Sequence, residues 1–80
     1  MFQRTQMPRY FFNVRNAVKT QDFEGVELFD LHAARGEAHK DIDEIKQTHF
    51  NSLGSDWSKW SIEICDRDGA LLLVVPFSRN

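Results

Sequence analysis

The chain has one cysteine, Cys65, and two prolines, Pro8 and Pro76, among its 80 residues. A single thiol excludes an internal disulfide framework and a multi-cysteine metal site. No apolar run approaches the roughly 18 residues that span a bilayer. The longest, ALLLVV at 70–75, has the length of a strand. The opening MFQRTQM lacks the hydrophobic stretch of a secretory signal. There is no glycine-rich phosphate loop, no nucleophile elbow and no carboxylate pair set up for acid–base work. These absences point to the cytoplasm, away from a membrane, and argue against an enzyme and against any cofactor.

What is present describes a small globular domain. The composition is 41% hydrophobic and 28% charged, too apolar for a disordered chain. At this length folding buries only about 60–65% of the extended surface. The core is therefore thin, and a second subunit would help it. The net charge is −2, which argues mildly against nucleic acid as a partner. The charges are unevenly placed. Residues 1–21 carry Arg4, Arg9, Arg15 and Lys19 and no acid, whereas all twelve acidic residues lie in 22–80. Opposite patches of this kind complement each other within a chain or across a dimer.

The pattern predicts β-β-α-β-β, an α+β fold. A four-stranded, mainly antiparallel sheet would carry one helix on one face. PRYFFNVR (8–15) reads as a strand with Pro8 at its start, where a missing N–H does no harm. Alternation sends Tyr10, Phe12 and Val14 to one face and Arg9, Phe11, Asn13 and Arg15 to the other. NAVKTQD (16–22) reads as a turn and a short second strand. DFEG (22–25) reads as a loop with Gly25 at positive φ. Asp30 suits a helix N-cap. Leu31, Ala34, Ala38, Ile42, Ile45 and His49 then mark one apolar face, and Glu37, Lys40, Asp41 and Glu44 fall away from it. Gly54 suits the helix stop.

Asp68-Gly69 favours a two-residue hairpin turn. That turn would place Ile64 opposite Leu73, Ile62 opposite Val75 and Trp60 opposite Phe77, with Cys65 opposite Leu72 and Glu63 opposite Val74 on the other face. Two strand orders remain open, 2-1-3-4 with every pair antiparallel, and 2-1-4-3. Residues 1–6 read as a flexible extension and 7–80 as the single domain.

Three blocks, MPRYFFNVRN, DFEGVELFDLHAARGEA and WSIEICDRDGALLLVVPFS, resemble a family of small bacterial proteins of unknown function, found largely in rhizobia and related alphaproteobacteria. The resemblance covers about residues 7 to 78. It implies a bacterial domain, no transferable activity, and Met7 as the usual first residue. Asn16-Ala17 departs from the glycine-containing turn common in that family.

The remaining candidates for chemistry each have an ordinary reading. His39 and Asp43 stand at i, i+4, a spacing that can hold a metal. His32 lies about 10 Å from His39 along a helix axis, too far to share an ion, so no metal site is expected. His49 falls on the apolar face as a core histidine. DRDG resembles the opening of a calcium loop without its closing ligands. Cys65 reads as a small packed hydrophobe. One sheet and one helix offer little concavity for a pocket.

What stands out is the sheet face away from the helix. Phe11, Cys65, Leu72 and Val74 point there, and no further element is predicted to cover them. A non-catalytic module that associates with itself is the expectation, its surface formed by Arg9, Phe11, Arg15, Leu72 and Val74. The alternative from another class is a nucleic-acid-binding regulator that uses Arg9, Phe11 and Arg15.

Overall fold

Tyr10 and Phe12 are buried, at 6% and 8% exposure, within the strand Arg9–Arg15 (β1), as the alternation predicts. The computed structural model describes residues 7–16, 19–49 and 57–78. The extension 1–6 and the helix stop at Gly54 lie outside the described residues. Four further strands follow: Lys19–Thr20 (β2), Val26–Glu27 (β3), Ser61–Cys65 (β4) and Leu71–Pro76 (β5). The one described helix, Leu31–His49 (α1), stands between β3 and β4. The fold class is α+β, as expected.

The sheet runs β2-β1-β4-β5, and every pair is antiparallel. Of the two orders left open by the sequence, this is 2-1-3-4. β3 was not foreseen. It pairs with Arg9 and Tyr10 on the same edge of β1 that β2 occupies at Val14 and Arg15. Leu28 extends that pairing by donating its N–H to the Pro8 carbonyl at 3.1 Å.

Asp30 caps α1, its carboxylate accepting from the Ala33 N–H at 2.9 Å. Ala34 and Ala38 are fully buried, and Ile42 is 4% exposed. The small alanines let the helix backbone approach the sheet, where α1 lies over β4 and β5. Ile62, Ile64 and Phe77 are the largest fully buried side chains beneath it. Gly36 stands on the exposed side with nothing near its missing Cβ. The His49 side chain lies outside the described residues.

Trp57, Trp60 and Phe77 close one end of this core. Trp57 stacks on Phe77 at 5.6 Å between ring centroids, and Trp60 meets Trp57 edge-on at 5.0 Å. Offset and edge-to-face arrangements of this kind suit the aromatic quadrupole. Lys46 ties α1 to the same end by donating to the Phe77 carbonyl at 2.8 Å.

The β4–β5 hairpin keeps its predicted register through a different turn. Asp66 accepts from the Gly69 N–H through its carbonyl at 3.0 Å, and its own N–H bonds the Ala70 carbonyl at 3.0 Å. The loop is therefore Arg67-Asp68-Gly69, with Gly69 at φ 87°. This is a turn followed by a left-handed glycine, not the predicted two-residue turn. The Asp66 carboxylate selects it, accepting from the N–H groups of Asp68 and Ala70, both at 2.9 Å. The extra loop residue alone would slip the pairing by one. A bulge at Leu72 restores it: Cys65 faces Leu71, not Leu72, while Ile64 faces Leu73 and Ile62 faces Val75.

Candidate interaction surface

The outer face of β1 is less open than the sequence implies. Asn13 is 5% exposed and Cys65 8%, and Phe11 is half-buried. Phe11 and Asn13 meet the segment between β2 and β3. It is held by Asp22, which sits where neither short strand reaches. One oxygen of the Asp22 carboxylate accepts from the Phe12 N–H at 3.1 Å. The other accepts from the N–H groups of Glu24 and Gly25, at 3.0 and 3.1 Å. The Asp22 N–H in turn donates to Asn13 Oδ1 at 2.8 Å. A side-chain carboxylate thus fills the gap in the β1 edge that a backbone carbonyl would fill in a continuous strand. Burial alone would raise the Asp22 pKa, but the N–H donors of Phe12, Gly25 and Glu24, with Arg9, outweigh it and hold the carboxyl below its ordinary 3.8.

Gly25 is needed for this turn. Its φ is 72°, and a Cβ there would stand 2.8 Å from Phe11 and from the Arg9 stem. The expectation that nothing covers Phe11 is therefore corrected. A short polar loop does so, held by side-chain hydrogen bonds that hydrophobic periodicity does not reveal. Cys65 is buried as well, with Asn13 Nδ2 against its sulfur.

The two arginines of this face are both engaged. Arg9 donates to the Glu24 carbonyl at 2.6 Å and pairs with Glu27 at 3.3 Å. Arg15 pairs with Glu63 at 3.2 Å across the β1–β4 ladder. Asn13 Nδ2 lies 3.6 Å from the Cys65 sulfur. The thiol is free and buried.

What stays open is β5. Leu71, Leu72 and Val74 are 55%, 39% and 45% exposed. Leu71 and Val74 share the face away from α1, since their partners are Cys65 and Glu63. The far edge of β5 pairs with no strand among the described residues. Beside it lies a groove of 570 Å³, walled by β5 and by His32, Arg35 and His39 of α1. The sequence-based expectation of little concavity is corrected here. The helix covers the sheet only as far as β5, and the step between them forms the groove. Two further aromatics, Phe23 and Phe29, are exposed at 82% and 76%; sequence periodicity did not mark them.

Among the described residues no group of three or more His, Cys, Asp or Glu is placed to hold a metal ion. Nor is any described helix long and apolar enough to cross a membrane.

Residues 9–78 match the profile of a family described as a domain of unknown function, DUF6894. The chain belongs to that family. Comparison of this DUF6894 domain with curated proteins finds no match, and comparison with solved structures finds none either. The family supplies no activity to the surface just described.

One carboxylate of this DUF6894 domain departs from the sequence reading. Asp41 does not simply fall away from the core. It is partly buried, and desolvation, then Glu37 and Glu44, push its pKa up to about 6 from 3.8. A carboxyl whose folded pKa is raised adds stability below its unfolded value. That contribution is lost as pH rises through the folded one. Asp41→Asn is therefore expected to stabilise the domain above pH 6 by about 1 kcal/mol, a figure reduced for solvent screening. The gain should vanish below about pH 4. Thermal melts of both proteins across this range check it, and parallel curves would refute the assignment.

Proposed function

We propose that this domain is a non-catalytic protein-interaction module that pairs with a second copy of itself through the outer face of β5. The observation that carries the reading is the run of exposed Leu71, Leu72 and Val74 on one strand. Apolar side chains left together on a sheet face favour burial against another surface. A two-fold partner offers the same patch in return. The non-catalytic part rests on how the reactive groups are used: Asp22 binds backbone N–H groups, and Cys65 is packed against Asn13. A free thiol also fits a cytoplasmic setting.

The alternative, a nucleic-acid-binding regulator using Arg9, Phe11 and Arg15, has less support. Both guanidinium groups are paired with carboxylates, and Phe11 is half-covered. Stacking on a base needs an open ring and phosphate contact needs free charge.

Sedimentation at tens of micromolar is expected to show a dimer that persists in high salt, because an apolar interface is not screened. Val74→Glu should make it monomeric. A monomer throughout that range, with unchanged wild-type folding, would refute self-association.

A further inference from the structure

The β5 edge and the groove beside it form a surface distinct from the outer face assigned to the second copy. In an antiparallel ladder, alternate residues turn both backbone groups toward the same neighbour. Phe77 donates its N–H to the Trp60 carbonyl at 3.0 Å, toward β4. By that parity Val75 and Leu73 also face β4, and Val74 and Pro76 turn their backbone groups outward. Val74 thus offers both an N–H and a carbonyl to the free edge. Pro76 sits where its lack of an N–H costs the sheet nothing, and it ends the donor row.

The opposite wall carries one fixed positive charge, Arg35. His32, Arg35 and His39 line the groove, with Leu31 at its apolar end, and no carboxylate lines it. The nearest acid on the helix face, Asp43, is exposed one turn beyond His39 and is not part of the wall. An unpaired strand edge beside a helix is the geometry in which an extended peptide adds as one more strand. The charge of the wall selects which peptide.

We propose that the α1–β5 groove binds an extended acidic peptide segment of a partner protein by strand addition to β5. The segment's backbone bonds the outward groups at Val74. Its carboxylates meet Arg35, flanked by His32 and His39. The inference rests on the interaction-module reading but uses the edge, leaving the outer face free for the second copy.

The probe is a pair of synthetic peptides, one alternating valine with glutamate and one alternating valine with lysine, titrated into the full chain by calorimetry and by amide NMR. The acidic peptide is expected to bind saturably, shifting the amides of residues 32–39 and 73–75. The lysine peptide should not bind. Arg35→Glu, at an exposed position, should weaken binding about tenfold, the loss of one charge-assisted contact. Equal binding of both peptides, no binding, or indifference to Arg35→Glu overturns the proposal. Sedimentation separates it from the dimer. Peptide bound to an unchanged oligomer supports two surfaces, and peptide that dissociates a dimer overturns their separation. A dimer that ignores the peptide refutes the groove assignment alone.

Discussion

Phe12→Ala is expected to destabilise the domain by about 3–5 kcal/mol, the range for truncating a core aromatic. Phe12 is 8% exposed, faces Ile64 across the β1–β4 ladder and belongs to the same buried core as Ile62, Ala34 and Ala38. In so small a core its cavity has few neighbours that can collapse into it. Phe11→Ala, one residue away on the other face, should cost about 1–2 kcal/mol, since the ring is only half-buried and loses less area. Urea melts of the two variants decide the matter. Equal losses would show that the alternation along β1 is misassigned.

Asp22→Ala is the second large effect, about 2–3 kcal/mol. It removes an ionised acceptor from the N–H groups of Phe12, Glu24 and Gly25 at once, and bonds to charged groups are the costly ones to lose. The loss is not the sum of the separate bonds, because loop residues freed by the change can turn to water. Asp22→Asn should fall between, since an amide keeps one acceptor oxygen of the two. The pH dependence has a definite sign. A lowered folded pKa contributes stability that is present above the ordinary 3.8 and lost as pH falls through the folded value. The wild-type advantage over Asp22→Ala should therefore shrink in acid. An advantage that grew there would count against the bonding scheme.

How far the sequence reveals this fold depends on which forces write the pattern. The β1 alternation, the α1 stripe and the facing pairs Ile62–Val75 and Ile64–Leu73 come from burial. Burial is periodic, so these are legible. The turn is not, because Asp66 bonds its own loop and adds a residue that Leu72 then takes up. The register is correct although the turn is not, since the two irregularities cancel. The cover over Phe11 is equally hidden. It depends on Asp22 meeting Asn13, a contact between side chains with no spacing rule. Of the residues expected at the interaction surface, Leu72 and Val74 are exposed. Arg9 and Arg15 are tied to Glu27 and Glu63. The groove depends on where the helix stops across the sheet, and the strand order that decides this was open.

The closed edge of β1 sets the valence of the molecule. β2, the Asp22 carboxylate and β3 occupy that side in pieces, each strand piece only two residues long. Such fragments present no continuous row of donors and acceptors for a further strand. Among the described residues the sheet can lengthen in one direction only, beyond β5. A head-to-tail fibre needs two competent edges per copy, and the described residues supply one. Growth by edge pairing must end after a single addition, so each chain takes one strand, and a solution crowded with this protein still has nowhere to propagate a β-ribbon.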